Sequence, residues 1–186
     1  MVRYPQDYIE VLSTHTMETT IEVSESEAFV TAELKSIAFN KKELRSEIVI
    51  DAPSERVWNI LTDFDRFPEW NPFIRRASGR IETNARLNVT LHPSGGRATT
   101  FKPSVLKVEP NKELQWQGHL GIPGLFDGQH IFELRSLGDA GTLFVQRERF
   151  GGILLPFLTG MLKNETAHGF NEMNHALKSR AEGRTA

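Results

Sequence analysis

Apolar and polar residues alternate along LRSEIVID, from Leu44 to Asp51, and its β-branched residues mark this stretch as a strand. Ala52-Pro53-Ser54-Glu55 then opens a helix. Pro53 suits a first helical position, Glu55 the positive end of the dipole, and Val57, Trp58 and Leu61 supply an apolar side. Asp63 can cap a second short helix, which Pro68 ends near Trp70-Asn71-Pro72. From there the period is two. ARLNVTLHP, TTFKPSVLKVEP, KELQWQGHLG, GQHIFELRSL and TLFVQRERF read as successive strands, with RASGRI a shorter one before them. Asn84, Ser94-Gly95-Gly96, Pro110-Asn111, Pro123-Gly124 and Gly138-Asp139-Ala140-Gly141 separate them. Connections this short imply an antiparallel meander.

From about Leu154 to Arg180 the spacing changes to three and four. Leu158, Leu162, Thr166, Gly169/Phe170, Met173 and Leu177 form one apolar stripe on a long helix. The predicted order is strand, two short helices, about six strands, one long helix. A sheet with one apolar face needs a cover, and the last helix is the only element large enough. The expected class is α+β.

At 186 residues the chain suits a single domain. The first 36 residues carry seven acidic side chains and two basic ones, and TTIEVSESEAFVTAELKSIAF alternates only loosely. Residues 1–40 therefore read as an acidic extension, weakly ordered or adding one strand. Residues 41–182 form the domain and 183–186 a tail. Removal of residues 1–36 is expected to leave a cooperatively melting unit. The net charge of −2 offers no electrostatic reason for a nucleic-acid or anionic-membrane partner. The chain has no cysteine, which excludes disulfides, thiolate catalysis and cysteine metal sites and fits a reducing compartment. The start, MVRYPQDYIEVLSTH, is not a secretory leader, and the apolar run from Ile153 to Leu162 is too short to cross a bilayer. The expectation is a cytoplasmic protein without integral membrane insertion.

Three stretches carry a resemblance to a known superfamily: IVIDAPSERVWNILTDFDRFPEWNPF; VLKVEPNKELQWQG; and HIFELRSLGDAGTLFVQRERFGG followed by LKNETAHGFNEMNHALKSRAE. From about Leu44 to Glu182 the chain resembles the START-like (Bet v 1-like, SRPBCC) superfamily, in its polyketide cyclase/dehydrase branch. The resemblance implies a helix-grip fold: a curved antiparallel sheet of about seven strands around the long C-terminal helix, with two short helices after the first strand. It also implies an internal apolar cavity for a hydrophobic small molecule. It implies no particular reaction, because one fold hosts many functions.

The GQHIFELRSL–GDAG–TLFVQRERF hairpin can be read in register. If Ser136 faces Thr142, then Leu134 faces Phe144, Phe132 faces Gln146 and His130 faces Glu148. These residues and Phe150 share the less charged face, which is the inner one. His130 and Glu148 are the candidate catalytic pair, since burial and a neighbouring charge move both pKa values toward acid/base work. The same pair could instead orient a ligand, or simply satisfy two buried polar groups. Trp116, Phe132, Phe144, Gln146, Phe150, Leu158, Leu162 and Phe170 are the expected cavity lining. Trp70 and Phe73 follow a helix break, at a place that in the superfamily lines the cavity mouth. Phe64 and Trp58 read as core, and His119 as outward-facing.

Glu165, His168 and Glu172 have metal-like spacing but read as a solvated ion-pair face, so no metal site and no cofactor is expected. No G-x-S-x-G elbow, Walker loop, dinucleotide glycine motif or HExxH occurs, and HPSGGR is a turn with no helix after it. Two functions remain. One is a cyclase/dehydratase-like protein of secondary-metabolite biosynthesis, the other a non-catalytic carrier or sensor of a lipid or other small ligand.

Overall fold

Leu44, Ser46, Ile48 and Ile50 are buried, while Glu43, Arg45, Glu47 and Val49 between them are only partly so. That is the pattern of a strand with one face on a core. In the computed structural model, which describes residues 32–94 and 96–183, this strand is β2 (Lys41–Ile50). It lies between β1 (Glu33–Ala38) and β9 (Thr142–Gly151), and β8 (Asp127–Ser136), β7 (Glu113–His119) and β6 (Ser104–Glu109) follow. Every pairing in this six-stranded sheet is antiparallel. A second, three-stranded sheet contains β3 (Ile74–Ser78), β4 (Asn88–Leu91) and β5 (Thr99–Phe101).

Between β2 and β3 lie α1 (Ser54–Thr62), a 3-10 turn (Phe64–Arg66) and α2 (Phe67–Trp70). Asp63 makes no side-chain cap there; its carboxylate pairs with Arg66 at 3.4 Å. After β9 come α3 (Leu155–Met161), a π-helical turn (Leu162–Thr166) and α4 (Ala167–Ala181). Phe170, Met173 and Leu177 of α4 are fully buried against the sheet. Polar contacts dock the same helix: Asn174 Nδ2 donates to Ser46 Oγ at 2.9 Å, and Lys178 Nζ to the Val49 carbonyl at 2.6 Å. These elements form the α+β class that the pattern implies, in the helix-grip architecture that the resemblance implies.

The structure differs from the sequence reading in three ways. There are nine strands in two sheets among the described residues, not about seven in one. TTFKPSVLKVEP is split at Lys102-Pro103, because proline has no N–H for a ladder. The Pro103 carbonyl accepts from Leu87 N at 2.9 Å, and the chain leaves one sheet for the other. The long helix is interrupted by the wider π turn, which keeps Leu162 and Thr166 buried on one side. Of the extension, residues 1–31 lie outside the described residues, and β1 is its visible part. Of the tail, residues 184–186 also lie outside them.

Candidate functional site

Antiparallel pairing lines up the inward side chains of four strands in rows. Trp116, His130, Glu148 and Leu44 stand opposite one another across β7, β8, β9 and β2. One row along are Leu114, Phe132, Gln146 and Ser46, buried with α4 above them. In the other direction the row begins with Gly118 and Gly128, directly paired, followed by Phe150. Two glycines side by side remove two side chains from the inner face, and the space they leave belongs to a cavity of about 270 Å³. Its size falls just below the usual range for small-molecule sites.

The walls are mainly apolar: Phe73 just before β3, Val89 and Leu91 from β4, Phe126 just before β8, Trp116 and Phe150 from the large sheet, and Leu162 from the π turn. The mouth is marked by Arg97, Leu120 and Met161, all exposed. His130 and Glu148 are the polar groups of the floor. His130 is 2% exposed and packed among the rings of Trp116, Phe132 and Phe170. Its Nδ1 lies 3.7 Å from Glu148 Oε2, and the Glu148 side chain keeps 14% of its surface. Gly128 makes room for that carboxyl, since a methyl there would lie 2.6 Å from Glu148 Oε1.

Burial decides the charge of both groups. It pushes Glu148 up to about 8 and His130 down to about 3, so near neutral pH both are uncharged. The amide nitrogen of fully buried Gln146 lies 3.0 Å from His130 Nε2 and donates to it. An accepting Nε2 puts the single proton of neutral imidazole on Nδ1. The floor therefore presents two adjacent donors, His130 Nδ1–H and the Glu148 hydroxyl. An acceptor oxygen on a ligand can take both.

Of the residues expected from the sequence, His130, Glu148, Phe73, Trp116, Phe150 and Leu162 meet at this cavity. Phe132, Phe144 and Phe170 do not line it; they are fully buried and fill the far half of the space between sheet and α4. Gln146 lies behind His130, and Leu158 packs against the core. Trp70 faces a different groove, formed with Arg56, Asn59 and Arg180 beside α1, because the bend at Asn71 turns it away from Phe73. Asn71 Oδ1 holds that bend by accepting from Phe73 N at 3.0 Å and Ile74 N at 2.8 Å.

His119 is bonded through Nδ1 to Asp127 at 2.6 Å on the cavity rim. His168 pairs with Glu172 at 3.4 Å on the exposed helix face, while Glu165 reaches the cavity mouth. Gly118, Gly128, Val89, Leu91 and Phe126 were not anticipated. A glycine inside each of two neighbouring strand patterns was the available clue to the space.

Residues 41–182 match the family described as polyketide cyclase/dehydrase and lipid transport. No curated protein matches significantly. Among solved structures, the Zhui aromatase/cyclase from Streptomyces sp. R1128 is 13% identical with TM-score 0.64, over 76% of this chain and 94% of that one. A START superfamily protein from Mycobacterium smegmatis is 21% identical with TM-score 0.62, over 76% of this chain and 97% of that one. The di-domain aromatase/cyclase BexL from the BE-7585A biosynthetic pathway is 13% identical with TM-score 0.64, over 80% of this chain. This chain spans about half of that di-domain protein, 52%. At these identities the likeness is one of fold.

Proposed function

The chain belongs to the polyketide cyclase/dehydrase and lipid-transport family, and from that membership we propose that it takes a compact apolar molecule into the cavity and holds one of its oxygens against His130 and Glu148. The observation that carries this reading is an apolar-walled cavity with two adjacent donors on its floor. Two donors aimed at one oxygen stabilise negative charge there more than a neutral carbonyl, which favours enolisation of a ketone. In the cyclase/dehydratase-like form, Glu148 gives its proton to the ketone oxygen. Its other oxygen takes the proton lost by the adjacent carbon, so the carboxyl ends the step as it began. The enol is the nucleophile that ring closure requires. In a second form, that of a non-catalytic carrier or sensor, the same two donors move no proton and only orient the bound ligand.

The test uses Nile red as an apolar probe and an aromatic ketone as competitor. Wild-type protein should take up the probe and release it to the ketone. His130→Ala and Glu148→Leu should retain the probe but bind the ketone about tenfold more weakly, the worth of a lost hydrogen bond. If the protein is a catalyst, both variants should also lose turnover by orders of magnitude. Failure of the wild type to take up Nile red, or variants that bind the ketone as tightly as the wild type, would remove the reading.

A further inference from the structure

Large apolar side chains stand exposed at one end of the molecule. Phe39 is 99% exposed, Phe157 84%, Ile153 72% and Ile122 69%. They converge because three chain reversals meet there: the β1–β2 turn, the β7–β8 loop and the β9–α3 junction. Asn40 Nδ2 donates to the Gly152 carbonyl at 2.8 Å, and Ile153 N to the Gly124 carbonyl at 3.0 Å. Phe157 and Met161, four residues apart in α3, share a helix face, and Ile153 just before the helix lines one groove with Phe39. Met161 and Leu120 are also exposed, and both line the cavity mouth. The apolar surface thus runs from Phe39 to the lip of the cavity. A contiguous exposed patch of this kind marks a contact surface.

Its border is basic. Lys41 and Lys42 line the groove below Phe39 and Ile153, Arg97 is at the mouth, and Lys163 follows Leu162. Lys41, Lys42, Arg97 and Lys163 make no ion pair among the described residues. On the acidic side Asp127 is held by His119 and by Gly124 N–H, which leaves Glu165 at the lip. A net charge of −2 concealed this local excess of cations.

We propose that this end docks peripherally on an anionic lipid surface. Phe39, Ile122, Ile153 and Phe157 enter the headgroup boundary and the lysines lie over lipid phosphates, which turns the cavity mouth toward the bilayer. A second copy fits worse, because a two-fold contact would set the same cations against one another. The inference goes beyond the ligand-binding reading and stands on the surface alone.

The experiment is co-sedimentation of the full chain at low salt with vesicles of phosphatidylcholine, alone or with about one third phosphatidylglycerol. The protein should pellet with the mixed vesicles and far less with the neutral ones. Ile153→Ser with Phe157→Ser should lower that partition by about tenfold or more. Lys41→Glu with Lys163→Glu should remove the preference for anionic lipid. Both pairs lie on the surface and should keep the wild-type melting temperature and Nile red uptake, measured without vesicles. A cavity that binds nothing therefore leaves the docking result readable. Wild-type protein that stays in the supernatant overturns the proposal, as does an Ile153/Phe157 variant that pellets like wild type. So does a dimer in light scattering that Phe157→Ser dissolves.

Discussion

His130 and Glu148 are neutral for the same reason, burial, yet they respond to pH in opposite directions. On unfolding, Glu148 returns to its ordinary 4.5 and His130 to 6.5. Between 6.5 and 8 the folded chain keeps a Glu148 proton that the unfolded chain has lost, so stability falls as pH rises and levels off above 8. Between 4.5 and 3 the unfolded chain binds a proton on His130 that the folded chain does not, so stability falls as pH drops. From 4.5 to 6.5 the two slopes cancel. Melting temperature against pH should therefore show a plateau with two limbs, the alkaline one worth about 2 kcal/mol. Glu148→Gln should flatten the alkaline limb and, with nothing left to cancel the His130 slope, extend the acid limb up to 6.5; His130→Ala should remove the acid limb and start the alkaline fall at 4.5. Limbs unchanged in both variants would show that the pair is solvated. The facing of these two residues was legible from a loop length, because a period of two carries register outward from a turn. Gln146 as the partner of Nε2 was not, since the choice among rotamers of a buried amide depends on packing.

At the scale of elements, Gly169 decides how closely α4 approaches the segment leading into β3. Alanine there gains about 1 kcal/mol of helix propensity. Its methyl, however, would fall well inside van der Waals contact of the Phe73 ring. Phe73 is 1% exposed and meets Phe170 edge-on at 5.8 Å, so the open side toward which it can move is the cavity. Overpacking of this kind costs about 1–3 kcal/mol. Gly169→Ala should accordingly lower the melting temperature by a few degrees and shift Phe73 into the cavity it lines, while Phe73→Leu should restore part of the loss. A raised melting temperature would mean that propensity wins. Local periodicity made the individual strands and the apolar stripe of α4 readable. The transfer of the chain between sheets at Pro103 and the π turn at Leu162–Thr166 were not, because both answer to tertiary fit rather than to residue spacing. The same holds for the cavity wall: a pattern of apolar positions does not distinguish Phe132, which fills space, from Trp116 in the next row, which borders it.

At the scale of the whole molecule, the family match begins at Lys41, where β2 begins, and β1 precedes it. β1 is an outer strand whose residues are mostly exposed; only Ala32, just before it, and Leu34 pack in part against the core. Of the apolar burial among the described residues, deleting residues 1–40 removes little, about 1–2 kcal/mol for one partly buried leucine and its neighbours. The larger effect is at β2. Its five pairings with β1, from Glu33 opposite Arg45 to Ala38 opposite Lys41, leave open backbone groups on the outer side of the sheet when they are lost. An open edge on a ten-residue strand is a template for another chain. The chain starting at Lys41 should thus melt cooperatively, only a few degrees below the full chain, but should self-associate as concentration rises in light scattering. A melting temperature lower by about ten degrees or more would assign roughly 2–5 kcal/mol to the deleted residues and make them part of the folding unit. A monodisperse, equally stable truncated chain would show instead that β2 protects its own edge, for which Lys41, Lys42 and Arg45 supply the charges.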